Sequence, residues 1–196
     1  MDQDTTRNKG AHEKIIEKFK NHEFDILLGT QMIAKGHDFE NVTLVGVLAA
    51  DSSLNIGDYK ANERTYQLLT QVAGRAGRGS KKGKAIIQTY LPDEFSIKAV
   101  KEQNYKNFYD TEINMREKLN YPPFCDIIVI GFNSQNAEEL KETCKNVYNY
   151  LKSNLNLEDF NVFKPMPAPI DKIQNRLRYR IIIKGNKKKE CSDLKV

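Results

Sequence analysis

Cysteine and histidine are scarce in this chain: three of each occur among 196 residues. Cys125, Cys144 and Cys191 stand far apart, and no pair has the spacing of a zinc finger. His12, His22 and His37 do not cluster either. No metal site is expected. Long apolar runs are missing as well. None approaches the ~20 residues of a membrane span, and no amino-terminal stretch has a secretory core, so the cytoplasm is the default compartment. Finally, no phosphate loop is present. Such a loop needs Gly, four residues, then Gly-Lys-Ser/Thr, with the hydroxyl on magnesium. Here Gly83-Lys84 is followed by Ala85, and Arg78 stands where the first glycine should be. Lys81, Lys82 and Lys84 therefore read as a solvated turn before the strand-like "AIIQTY" at 85–90.

What is present is an uneven charge. Residues 172–196 hold nine Lys/Arg against two Asp/Glu, giving +7, while residues 1–171 carry −2. The excess at one end points to a local surface that faces a polyanion.

The stretch "QVAGRAGR" at 71–78 is the second positive feature. Upstream of it Thr65, Leu68, Leu69 and Val72 fall at i, i+3, i+4 and i+7, which predicts a helix over 59–72. Arg75 and Arg78 leave its end in a glycine-rich stretch. Three residues is close to one helical turn, so both side chains can point one way. Two guanidiniums aimed at one place suit a phosphate, which takes bidentate hydrogen bonds. The alternative is that both arginines pair with carboxylates near the helix end.

Elsewhere the pattern alternates between strands and helices. "KGAHEKIIEKF" places His12, Ile15, Ile16 and Phe19 on one helical stripe. "FDILLGT" at 24–30 reads as a short buried strand, and "VTLVGVLAAD" at 42–51 as a second one, apolar throughout. With the helix at 59–72 and the strand at 85–90, this implies a parallel sheet with βαβ units. Ligands in such sheets sit at the carboxyl ends of strands, where Gly29, Thr30 and Asp51 fall. Residues 93–120 read as a charged helical segment, ended by Pro122-Pro123. A second unit follows. "CDIIVIGF" is a strand. Ala137, Leu140, Cys144, Val147, Tyr148 and Leu151 mark a long amphipathic helix with Cys144 as a core thiol. "DFNVFKP" is another strand. "RLRYRIIIK" alternates, with Tyr179, Ile181 and Ile183 on one face and Arg178, Arg180, Ile182 and Lys184 on the other. Strand–helix–strand–strand is the start of a ferredoxin-like α+β sandwich, expected here to be cut short.

These motifs resemble a known family. "QVAGRAGR" is similar to motif VI of superfamily 2 helicases and "GTQMIAKGHDF" at 29–39 to motif V, in the right order. "MDQDTTRNKG", "MREKLNYPPF" and "PMPAPIDKIQNRLRYRIIIK" narrow the resemblance to the primosomal replication-restart helicases. It covers nearly the whole chain. The fold it implies is a RecA-like helicase second lobe at 1–102, a helical connector at 103–121 and an α+β DNA-binding domain at 122–196. Met1 is expected to lie inside a longer protein.

The resemblance also implies site roles. Gln71, Arg75 and Arg78 would act on the γ-phosphate of ATP bound by another lobe, with Gly36, Asp38 and Gly74 lining the nucleotide. Thr30, Gln31 and Lys35 would face single-stranded DNA. Asp38 can also be a plain turn residue, and Thr30 a helix cap. Arg176, Arg178, Arg180 and Lys184 would contact the backbone of branched DNA, the alternative being a solvated sheet face. Lys164 stands where the family has glycine. ATP and Mg2+ are the implied cofactors, with zinc held by a module upstream of this segment. Branched DNA, primosome proteins and single-strand-binding protein are the implied partners. The implied activity is ATP-dependent 3′→5′ unwinding at stalled forks. The rivals are another superfamily 2 translocase and a non-catalytic nucleic-acid-binding protein with a relic lobe.

Overall fold

A computed structural model describes residues 10–30, 39, 42–76 and 83–185. The chain divides into two units, Met1–Phe108 and Tyr109–Val196.

In the first unit the apolar stripes form helices. Helix α1 (Ala11–Lys20) buries Ile16, with His12, Ile15 and Phe19 half-buried beside it. Strand β1 (Leu44–Val47) pairs in parallel with β2 (Lys84–Ile87), from Leu44 opposite Lys84 to Val47 opposite Ile87. A 3-10 helix (Ala50–Ile56) and helix α2 (Ala61–Ala73) make the crossover between them. The stripe expected for α2 is the buried one: Thr65 and Leu69 are each 1% exposed. Thr65 can be buried because its hydroxyl lies 2.7 Å from that of Ser53, which satisfies both groups. Asp58 starts the helix, accepting from Lys60 N and pairing with Arg64 at 2.7 Å.

The helical segment expected at 93–120 is two helices, α3 (Phe95–Glu102) and α4 (Tyr105–Lys118). Gln103 breaks it in the left-handed region, at φ 52°, and the Asn104 side chain accepts from Asn107 N to restart it. Asparagine does this readily, because its short side chain competes for nearby backbone N–H groups. Ile97, Ala99 and Val100 of α3 join Tyr66, Leu69, Ala50 and Phe108 in one core. There the Phe108 ring stacks on Tyr66 with centroids 4.1 Å apart.

One strand expectation is overturned. Residues 24–30 form no strand, and Ile26 and Leu28 are 82% and 73% exposed. A strand exists only through its ladder, and β1 and β2 pair with each other, so no ladder reaches this segment among the described residues. The strand expected at 42–51 is real but shorter, and only half-buried.

The second unit is an antiparallel sheet under one helix. Strand β3 (Asp126–Ser134) pairs along its whole length with β6 (Arg176–Gly185), whose other edge holds β4 (Phe160–Val162) and β5 (Met166–Ile173). The order β3-β6-β4 is that of the first three strands of a ferredoxin-like sandwich. Helix α5 (Ala137–Asn154) covers one face. Asn136 caps it by accepting from Glu138 N and Glu139 N, and those glutamates oppose the positive end of the helix dipole. Its stripe meets alternate residues of β6: Leu151, Val162, Ile181 and Ile183 form the core. Cys144 is buried on the same stripe, where burial raises its thiol pKa.

Strand β5 is the element that residue patterns did not reveal. Pro167 and Pro169 hide it, since proline is poor in a ladder. It survives by pairing on one side only, with a register irregularity between Pro167 and Lys172. A two-residue turn, Gln174-Asn175 with both φ positive, then leads into β6, the arrangement that suits strand twist.

Candidate functional site

In the first unit, Gln71, Gly74 and Arg75 come together at the carboxyl end of α2. Gln71 and Arg75 are one turn apart on the same edge. Gly74 ends the helix, its N–H bonded to Thr70 O at 3.0 Å and Arg75 N–H to Val72 O at 3.0 Å. A Cβ on Gly74 would stand 3.3 Å from Thr70 O, so glycine lets the helix close tightly just before the arginine. Gln71 is exposed and Arg75 half-buried. An amide and a guanidinium on one edge offer donors of the kind a phosphate accepts. Thr30 is exposed in a bend. Gln31, Lys35, Gly36, Asp38 and Arg78 lie outside the described residues.

Asp51 sits past the end of β1 and accepts from Tyr90 N at 3.0 Å. Hydrogen bonds from Thr89 and from the Tyr90 amide hold its carboxyl below its ordinary pKa. It ties together the two segments that follow the parallel strands.

In the second unit, β6 sends alternate residues away from α5. Arg180 stands opposite Gly131, and Arg178 opposite Asn133. Together with Val129, Ala168 and Pro169 these residues line a groove of about 300 Å³. Gly131 keeps its floor open, since a Cβ there would meet nothing within 4 Å. A lone glycine inside a strand pattern is a sign of such an approach, but the residue facing it is set by cross-strand register. Arg176 donates to Asn133 Oδ1 at 2.7 Å and Arg178 to Ile170 O at 3.4 Å. Arg180 Nε is buried with no partner among the described residues. A buried donor in that state costs about 1–3 kcal/mol, so an acceptor brought into the groove gains from it.

Lys184 shares this face by register but turns its ammonium back onto the protein. Nζ donates to Leu119 O at 2.9 Å and lies 3.6 Å from the centroid of the Tyr121 ring. Burial lowers its pKa. Cys125, 0% exposed, lies beside it and donates to Asn120 O. The turn after α4 is thus pinned to β6. A buried pair, Arg116 with Glu112 at 2.8 Å, and a bond from Arg116 to Pro122 O fix the same turn from the helix side.

Among the described residues no group of three or more His, Cys, Asp or Glu could hold a metal ion. Nor is any described helix long and apolar enough to cross a membrane.

This is the anatomy of a helicase second lobe followed by an α+β domain, and the chain's relatives agree. Residues 3–80 match the helicase conserved C-terminal domain, and residues 117–195 the primosomal protein N C-terminal domain. The chain belongs to the PriA family of replication restart proteins. It is 45% identical over 194 residues to the replication restart protein PriA of Bacillus subtilis, covering 99% of this chain and 24% of that protein. To the PriA of Synechocystis it is 45% identical over 94% of this chain and 22% of that protein. To that of Chlamydia pneumoniae it is 42% identical over 94% and 25%. The chain thus spans about a quarter of the length of these relatives.

Proposed function

We propose that this chain is the second motor lobe and DNA-binding domain of an ATP-dependent helicase that unwinds DNA 3′→5′ at stalled replication forks. In this reading residues 1–102 form the lobe, 103–121 the connector and 122–196 the DNA-binding domain. The observation that carries it is the end of α2, where Gln71, Gly74 and Arg75 share one edge just before Arg78.

ATP bound with Mg2+ would supply the phosphoanhydride whose cleavage drives strand movement. Arg75 and Arg78 place positive charge where the γ-phosphate gathers negative charge, which is electrostatic stabilisation of a transition state. Gln71 positions the hydrolytic end. Gly36 and Asp38 line the nucleotide, while Thr30, Gln31 and Lys35 meet single-stranded DNA. That one segment touches both ligands offers a route from hydrolysis to movement. Arg176, Arg178 and Arg180 hold the DNA backbone with little sequence preference. Lys184 supports them by fixing the turn at Leu119–Tyr121 rather than by touching phosphate. Primosome proteins and single-strand-binding protein are its partners in the cytoplasm.

The test is Arg78→Ala in the longer native protein, assayed by phosphate release at saturating single-stranded DNA. Arginine fingers contribute about 10³–10⁵ in rate, so DNA-stimulated turnover should nearly vanish while DNA binding persists. Near-normal turnover would remove Arg78 from the site.

A further inference from the structure

Tyr179 alternates with Arg178 and Arg180 along β6 and also borders the groove that they line. By that alternation it shares the face that α5 covers with Ile181 and Ile183. There it borders a second cavity, of about 390 Å³, between α5 and the segment joining β4 to β5. Sites that take small ligands or single groups run from about 300 to 1,000 Å³.

The lining has an order that the sequence spacing explains. Lys141, Cys144, Lys145 and Tyr148 fall at i, i+3, i+4 and i+7 of α5, on one face of the helix. Cys144 is buried at the floor, and Tyr148 and Tyr179 are half-buried walls. Lys141, Lys145 and Lys164 are exposed at the rim. Two like charges at i, i+4 disfavour a helix slightly, and a third lysine, Lys164, lines the same cavity. Glu138 and Glu142 stand three residues before the helix lysines. Even so, none of the three ammoniums makes an ion pair among the described residues. The result is an aromatic-walled recess rimmed by three lysines that form no ion pair among the described residues.

That combination selects its ligand. A simple anion would use the lysines and leave the tyrosines idle. An apolar group would use the tyrosines and leave the charges unsatisfied. An unpaired nucleotide uses both, its base against an aromatic face and its flanking phosphates at the ammoniums. A base held in a duplex cannot enter, because its faces are stacked on its neighbours.

We infer that the recess between α5 and the β4–β5 segment is a binding site for an unpaired nucleotide of single-stranded nucleic acid, with Tyr148 and Tyr179 as base platform and Lys141, Lys145 and Lys164 as phosphate contacts. The inference rests on the proposed role in DNA binding but uses none of the arginines; Tyr179 borders both surfaces, and the lysines, which border only the recess, separate the two. The domain then grips duplex backbone on one face of its sheet and an unpaired base on the other.

The experiment uses the full 196-residue chain and a short oligothymidylate carrying one 2-aminopurine. Binding should quench the 2-aminopurine. Tyr179→Leu should abolish the quenching and weaken binding about 5- to 150-fold, the range of base–aromatic stacking. Tyr179→Phe should preserve both. Lys141→Gln/Lys145→Gln/Lys164→Gln alters only exposed side chains. It should lower the salt slope on single strands by about 2, at about 0.7 per neutralised phosphate. An abasic oligonucleotide should bind more weakly than its parent. The site is overturned if the triple variant keeps the full slope, or if quenching survives Tyr179→Leu. Equal binding of an abasic strand, or of an acidic peptide of equal charge, also overturns it. Loss of fork binding on Arg178→Glu/Arg180→Glu with both recess variants unchanged would leave the arginine face standing and this site refuted.

Discussion

The two sheets of this protein are built from similar strands with opposite fates. Both draw on Ile, Leu and Val. In the second unit β6 lies between β3 on one edge and β4 and β5 on the other, and α5 covers one face, so Ile181 and Ile183 are 0% and 1% exposed. Among the described residues of the first unit β1 and β2 pair only with each other. Leu44, Leu48 and Ile86 are 58%, 70% and 47% exposed, and Ile26 and Leu28 more so. Apolar residues in a strand state what the strand needs, which is cover on its faces and ladders on its edges. They do not state that the cover is at hand. Exposed apolar surface on this scale marks an interaction surface or an aggregation hazard.

The comparison can be broken most sharply in the cores. Leu69→Ala and Ile181→Ala should each cost about 2–5 kcal/mol, since both remove fully buried aliphatic groups. Each should lower the cooperative transition of its own unit in denaturant melts followed by circular dichroism. A shared loss in one transition would mean the two cores are not separate.

A middling effect is expected on DNA. Arg178→Glu/Arg180→Glu should weaken binding to forked duplexes across all sequences alike. It should reduce the salt slope by about 0.9 for each phosphate that the variant no longer neutralises. Filter binding over a salt series measures both, and unchanged affinity at low salt would mean the face is merely solvated.

Smaller still is the outcome for the exposed chain of the first unit. Ile26→Ser and Leu28→Ser should shift stability by no more than about 0.5 kcal/mol, as surface changes do, yet should raise solubility. A loss as large as that of Leu69→Ala would show that 24–30 is held in a strand after all.

The smallest effect concerns Lys184. Its pKa is lowered by burial, so just below the ordinary lysine value of about 10.4 the unfolded chain binds more protons than the folded one. Stability should therefore rise with pH through that window, relative to Lys184→Gln. Denaturant midpoints across the window test this, and parallel curves for the two proteins would place the ammonium in free solvent.

The helices are legible in the residues because each carries its own period. Thr65, Leu69, Leu140, Cys144 and Leu151 lie where their spacing puts them. Alternation in β6 is legible for the same reason. The false strand at 24–30 and the missing β5 are the complementary errors. One has apolar residues without a ladder partner, the other a partner without strand-like residues. Lys184 illustrates a third kind. Alternation places its Cα on the arginine face, but a four-carbon stem lets its ammonium reach Leu119 O and Tyr121. Gly131 under Arg180 and Tyr179 beside Lys141 and Lys145 depend on register and packing, which no single segment encodes. Arg75 lies just past the end of α2, where local spacing puts it, and the role proposed for it rests on motif resemblance.

The central proposal is that Arg75 and Arg78 serve a motor whose nucleotide is held by another group, for these 196 residues contain no phosphate loop. The most direct measurement is phosphate release by the purified chain with ATP, Mg2+ and saturating single-stranded DNA. The expected result is no release above background, while the full-length helicase proposed above to contain this chain releases phosphate under the same conditions. Robust Mg2+-dependent turnover by the chain alone would contradict the account.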